Sequence, residues 1–77
     1  MLYTRSSFIN YLINVHDCEI ITKSDGSDRF VHIKNGPAKA YLWAGGKDQI
    51  DYETIQIVCN KLWLPYLPGH SDLEPIE

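Results

Sequence analysis

His32 is the one histidine of this chain that falls inside a β-patterned stretch, and an imidazole there could take or give a proton near neutral pH. Acid–base work also needs a partner group, and Asp28 and Asp17 are the acids close enough in sequence to supply one. A half-buried strand histidine with a single hydrogen bond explains the same residue without catalysis. His16 stands where a helix should end, so a partial positive charge there is accounted for by the helix dipole, and His70 reads as a solvated tail residue. His16, Asp17, Cys18 and Glu19 are the densest run of metal-ligand types. Consecutive residues entering a strand alternate between its faces, so the four cannot converge on one ion. No metal site and no cofactor is expected.

Three other stretches carry some chemistry. Asp25-Gly26-Ser27-Asp28 opens like a calcium loop but lacks the bidentate glutamate at the twelfth position, and it reads as a turn. Gly45-Gly46-Lys47 precedes a helix, as anion-holding loops do. The helix start behind it already has Asp51 and Glu53, and the P-loop spacing is absent. Cys59 lies in an apolar helical stripe and should be buried, which argues against a nucleophile. Cys18 and Cys59 sit in no CxxC or Cys/His ligand spacing, and they are expected to be buried and reduced. A disulfide between them stays open at this level, because sequence does not give the distance between their Cα atoms.

These residues need elements to position them. Thr4, Ser6 and Ser7 are all suitable N-caps, and Phe8, Leu12 and Val15, flanked by Tyr11 and Ile9, predict a helix over about residues 5 to 15. The β-branched run from Cys18 to Lys23 predicts a first strand, and the alternation from Arg29 to Lys34 a second. Asn35-Gly36 is the strongest short hairpin signal, with Pro37 opening the returning strand over about Ala38 to Ala44. In that third strand Ala38, Ala40, Leu42 and Ala44 share one face, while Lys39, Tyr41 and Trp43 share the other. The small-residue face lets a helix approach closely and is assigned to the core; this leaves Tyr41 and Trp43 outward. Asp51 caps a second helix over about 51 to 63, with Tyr52, Ile55, Val58, Cys59 and Leu62 as its stripe and Pro65 ending it. The expected fold is α+β in the order α-β-β-β-α, a three-stranded antiparallel sheet with both helices on one face. Residues 1–65 form the single domain, and 66–77 an irregular acidic arm whose last residues are mobile.

Composition narrows the function. At 77 residues and 44% apolar, the chain has one domain with a real but small core. The net charge is −3, and Asp72, Glu74 and Glu77 supply the excess; the rest carries seven acidic residues against seven basic ones. Arg5, Lys23, Arg29, Lys34, Lys39, Lys47 and Lys61 are scattered among acids rather than clustered, which disfavours general affinity for a phosphate backbone. No apolar run reaches the length of a membrane span and no leader precedes the first helix, so a cytoplasmic protein without a membrane partner is expected. No convergent acid–base pair points to a small-molecule substrate.

The order of elements, the Gly26-Ser27 turn into the second strand and the Gly46-Lys47 loop into the last helix resemble the HicA-type toxins over about residues 6 to 64. The nearest local match is Gly26-Ser27-Asp28-Arg29-Phe30-Val31-His32-Ile33-Lys34-Asn35-Gly36. The resemblance implies a double-stranded-RNA-binding-domain-like fold, an antitoxin partner and mRNA cleavage by a histidine that follows the Gly-Ser. Here Asp28 and Arg29 stand at the matching positions, so the catalytic histidine is missing; His32, Asp28 and Arg29 are the residues left to consider. On a toxin-like reading Arg29, Lys34 and Lys47 would meet RNA.

Tyr41, Trp43, Phe30, Trp63 and Tyr66 are more aromatic surface than two small helices cover, unless the 65–67 segment folds back over them. The expected function is a non-catalytic interaction module on a HicA-like scaffold, which binds a protein partner or a second copy of itself through an aromatic sheet face. RNA binding or cleavage by a diverged toxin is the alternative.

Overall fold

The computed structural model describes residues 1–21 and 30–76. Its elements are β1 (Leu2–Tyr3), α1 (Arg5–His16), β2 (Glu19–Ile21), β3 (Phe30–Asn35), β4 (Ala38–Trp43), β5 (Ile50–Asp51), α2 (Tyr52–Lys61) and a 3-10 turn, His70–Asp72. The α-β-β-β-α order of an α+β fold is present, with an antiparallel sheet ordered β2-β3-β4. Added to it is a second, two-stranded sheet in which β1 pairs with β5.

Thr4 caps α1, its Oγ1 accepting the Ser7 amide at 3.3 Å. Phe8, Tyr11 and Leu12 are the buried side chains of α1. Val15, expected in the same stripe, is exposed. The chain turns at Asp17 in the left-handed conformation (φ 55°), and Cys18 enters the core one turn on instead. Asp51 caps α2 through a 2.9 Å bond from the Thr54 amide, as expected from its place before the stripe. That stripe is buried at Ile55, Val58, Cys59 and Leu62, and the core is completed by Val31, Ile33, Ala38, Ala40 and Leu42 of the sheet.

The hairpin differs from its expected form. Asn35 is the last residue of β3 and pairs with Ala38, so the two-residue loop is Gly36-Pro37 rather than Asn35-Gly36. A type I′ loop needs positive φ at both positions, which the proline ring forbids at the second. Gly36 alone takes positive φ (61°), as a type II′ loop requires. Asn35 is thereby free to point its amide at α2, where its Nδ2 donates to the Leu62 carbonyl at 2.7 Å. That carbonyl belongs to the C-cap of α2 and has no partner within the helix.

Residues 66–76, read from composition as an irregular arm, return to the fold. Leu73 joins the core cluster and Pro68 is fully buried. Tyr3 bridges Pro75; the Thr4 amide donates to the Glu74 carbonyl at 2.8 Å and the Ile76 amide to Leu2 at 2.9 Å. Tyr52 donates its hydroxyl to the Pro68 carbonyl at 2.6 Å. His70 stacks on Tyr52 at 5.1 Å and is hydrogen-bonded through Nδ1 to the Tyr3 hydroxyl. Such short strand pairs carry no periodic signal, which is why β1 and its partners escape a pattern reading.

Candidate binding surface

The three-stranded sheet buries one face against the helices and, among the described residues, leaves the other open, with Phe30, Tyr41 and Trp43 exposed on it. Register stacks the open face into three cross-strand rows. Phe30 faces Trp43; Ile21, His32 and Tyr41 form the middle row; Glu19, Lys34 and Lys39 form the third. Phe30 and Trp43 meet edge to face with ring centroids 5.2 Å apart, and His32 meets Tyr41 edge to face at 4.6 Å. Tyr41 is 56% exposed, Trp43 53% and Phe30 44%. A shallow hollow of about 220 Å³ lies among Ile21, His32, Lys34, Lys39 and Tyr41.

The period-2 assignment of β4 therefore holds: Ala38, Ala40 and Leu42 are buried, while Lys39, Tyr41 and Trp43 are exposed. Aromatic pairs directly opposite each other on a sheet hold one another in fixed orientations. Trp43 has a further support. Its indole lies against Gly45 so closely that a Cβ added there would meet the Cζ2 atom at 2.7 Å. The loop containing Gly45 is in turn held by Arg5, which donates to the Ala44 carbonyl at 3.1 Å and to the Lys47 carbonyl at 3.0 Å. Asp48 closes the arrangement by accepting from the Ser6 amide at 2.9 Å and the Ser6 hydroxyl at 2.7 Å. Those two bonds, with Arg5 nearby, hold the Asp48 carboxyl below the usual carboxylate range. Arg5 gave no signal in sequence beyond its place among scattered cations, because its carbonyl acceptors lie some forty residues away.

The other expected site residues do not all gather here. Trp63 (70% exposed) and Tyr66 lie beyond the C-terminus of α2, on the helical side, where the Tyr66 ring sits 5.1 Å from His16. Trp63 takes positive φ (56°) just past the C-cap Leu62, and the Leu64 amide behind it bonds back to the Cys59 carbonyl at 3.2 Å. Glycine is the usual occupant of that position. The 65–67 segment does not cover Tyr41 or Trp43, both of which remain about half exposed. Lys34 lies beside the hairpin end of the ladder and Lys47 beyond its opposite end, so these two of the three cations expected to meet RNA are not brought together. Asp28 and Arg29 lie outside the described residues. His32 is placed on the open face against Tyr41. Gly45-Gly46-Lys47 braces the start of α1 through Arg5 and Asp48 rather than that of α2, which Asp51 caps.

Both thiols are free and buried. Burial, and secondarily the neighbouring Cys18 thiol, pushes Cys59 up to about 11. Burial, with the Asp17 carboxylate beside it, raises Cys18 as well. A raised thiol pKa means that the folded chain keeps a proton which the unfolded chain gives up. Stability from Cys59 is thus complete below an ordinary thiol pKa near 9 and is lost as pH climbs towards 11. Cys59→Ser should flatten that alkaline loss, which amounts to roughly 2 kcal/mol in wild type. Urea titrations at a series of alkaline pH values check this; a wild-type midpoint constant across the window would show that Cys59 titrates normally.

Neither a protein-family model nor any curated protein or solved structure matches this chain. Among the described residues, no helix is long and apolar enough to cross a membrane, and no three His, Cys, Asp or Glu side chains are grouped to hold a metal.

Proposed function

We propose that this protein is a small non-catalytic interaction module that binds a protein partner through the open face of its β2-β3-β4 sheet. The observation that carries the reading is the pair of cross-strand rows Phe30–Trp43 and His32–Tyr41, oriented by register, with Trp43 seated on Gly45 and Phe30, Tyr41 and Trp43 about half exposed. Half-exposed, pre-oriented aromatics lose little side-chain freedom on binding, and this is the property that makes Trp and Tyr effective interface anchors. The Lys34–Lys39 pair beside them adds a cationic edge on a chain that is acidic overall. Glu19 stands opposite Lys34 on its other side, and Lys39 carries the positive charge of the row to the sheet edge, where an acidic group on a partner would meet it.

Replacing Tyr41 with a photo-crosslinking phenylalanine analogue, and in a second protein replacing the exposed Gln56 of α2, tests the face directly. Protein adducts in the native host are expected from position 41 and not from 56, and Trp43→Glu should abolish them while leaving the far-UV spectrum unchanged. Equal labelling from both positions would overturn the assignment, and so would unfolding by Trp43→Glu, which would make Trp43 part of the core.

The Lys34–Lys39 row beside the Tyr41 ring also favours a second reading, single-stranded RNA. Bases would stack on the rings while the ammonium groups meet phosphates. The resemblance to HicA-type toxins supports this reading in the same direction. Binding of a labelled oligouridylate that Trp43→Glu removes, and that weakens with salt, would establish it in place of the protein reading.

A further inference from the structure

The open face ends at an edge. β4 pairs with β3 on one side and, among the described residues, with nothing on the other. Its backbone phase follows from the hairpin. The pair closing a two-residue loop, Asn35–Ala38, exchanges both of its hydrogen bonds, and hydrogen-bonded and open pairs then alternate along the ladder. Ala38, Ala40 and Leu42 therefore bond to β3. Lys39, Tyr41 and Trp43 direct their amides and carbonyls outward.

Proteins ordinarily blunt such an edge with short strands, bulges, prolines or inward charges. β2, at the opposite edge, spans three described residues. β4 runs for six with a regular one-to-one register, its proline lies in the turn, and its sole charge is Lys39. Alongside its far end a hollow of about 250 Å³, lined by Leu2, Leu42, Trp43, Ile50 and Thr54, leaves room beside Trp43.

We infer that β4 pairs antiparallel with β4 of a second copy of this chain, about a two-fold axis through Tyr41. The sequence of the strand is self-complementary in this register. Tyr41 meets its counterpart, and Lys39 meets Trp43 of the other copy on both sides of the axis, so each ammonium lies against an indole. On the inner face Ala40 meets Leu42 and Ala38 meets Ala44. All three outward-directed residues of each strand then find hydrogen-bonding partners. Sliding the register by two residues towards the hairpin end sets Trp43 against Pro37, which has no amide to donate, and sliding it by four sets Lys39 against Lys39, which repels. A foreign strand has no such match written into β4.

Size points the same way. Two strands of six residues and one of three give an open face of roughly 240 Å² per copy, well short of the roughly 800 Å² a standard interface takes from each side. Edge pairing joins two such faces into one six-stranded platform. This inference concerns the edge and stands apart from the proposed use of the face.

Sedimentation equilibrium of the full chain, across micromolar concentrations, should show a monomer–dimer equilibrium. Methylating the Tyr41 amide nitrogen by chemical synthesis removes an edge donor and leaves the β3 ladder intact; it should weaken dimerisation at least about tenfold. Trp43→Lys should also give monomers, by setting Lys against Lys39, and adding Lys39→Glu should restore the dimer. In a mixed-label dimer of the unmodified chain, an intermolecular NOE between the Ala40 and Leu42 α-protons should mark the register, because these two form an open pair. A chain that stays monomeric overturns the inference. A dimer that lacks this NOE, or that is indifferent to Tyr41 methylation, overturns it as well.

Discussion

Ending the chain at Pro65 is expected to abolish cooperative folding. Residues 66–76 supply Leu73 to the core, the fully buried Pro68, and the acceptor for the Tyr52 hydroxyl. They also supply partners to the Thr4 amide and the Leu2 carbonyl, and one for the Ser7 hydroxyl, which accepts the Glu74 amide at 3.0 Å. Tyr3, completely buried in the intact chain, would open to water on the side where Pro75 and His70 now stand. Burying a leucine side chain is worth about 2 kcal/mol, and each backbone bond about 1 kcal/mol net. A domain of this size holds on the order of 4 to 12 kcal/mol in all. The loss is therefore comparable with the whole stability. A 1–65 fragment should show a flat near-UV spectrum and collapsed amide dispersion; a sharp melt at the wild-type temperature would show that the segment only decorates the fold.

Leu62→Ala should cost roughly 2 to 5 kcal/mol, read as a lowered urea midpoint at constant m-value. Leu62 is fully buried and sits at the C-cap of α2, where its carbonyl takes the Asn35 side-chain amide. Its side chain and its backbone thus join the helix layer to the β3–β4 hairpin. The cavity term acts on both, because α2 can move into the void only by disturbing that bond. A cost below about 1 kcal/mol would mean that the surroundings collapse freely onto the missing methyl groups.

How far the sequence disclosed this molecule depended on the range over which each residue acts. The two faces of β4 were legible because period-2 alternation separates Ala38, Ala40 and Leu42 from Lys39, Tyr41 and Trp43 within one strand, and the two sets differ in size and polarity. The α2 stripe and the Asp51 cap were legible for the same local reason. The hairpin was placed one residue early, since Asn-Gly is a strong signal only where both residues take positive φ, and Pro37 shifts the loop onto itself. Arg5 was illegible as a clamp. Its acceptors are main-chain carbonyls, which every residue offers, and only the fold decides which ones come within reach. The docking of Leu73 and Pro75 was hidden by composition, because proline-rich acidic segments look alike whether they pack or not.

The meeting of Leu2 and Ile76 on either side of Tyr3 makes the described chain almost a closed ring. In such a topology the position of the break is a matter of convenience rather than of architecture. A short linker could join Leu2 to Ile76 while the chain is opened at Gly46, an exposed glycine of positive φ with open space where a Cβ would lie. The permuted protein would then carry β1 as an internal strand, and whatever is fused to it would emerge beside Trp43 instead of beside Tyr3.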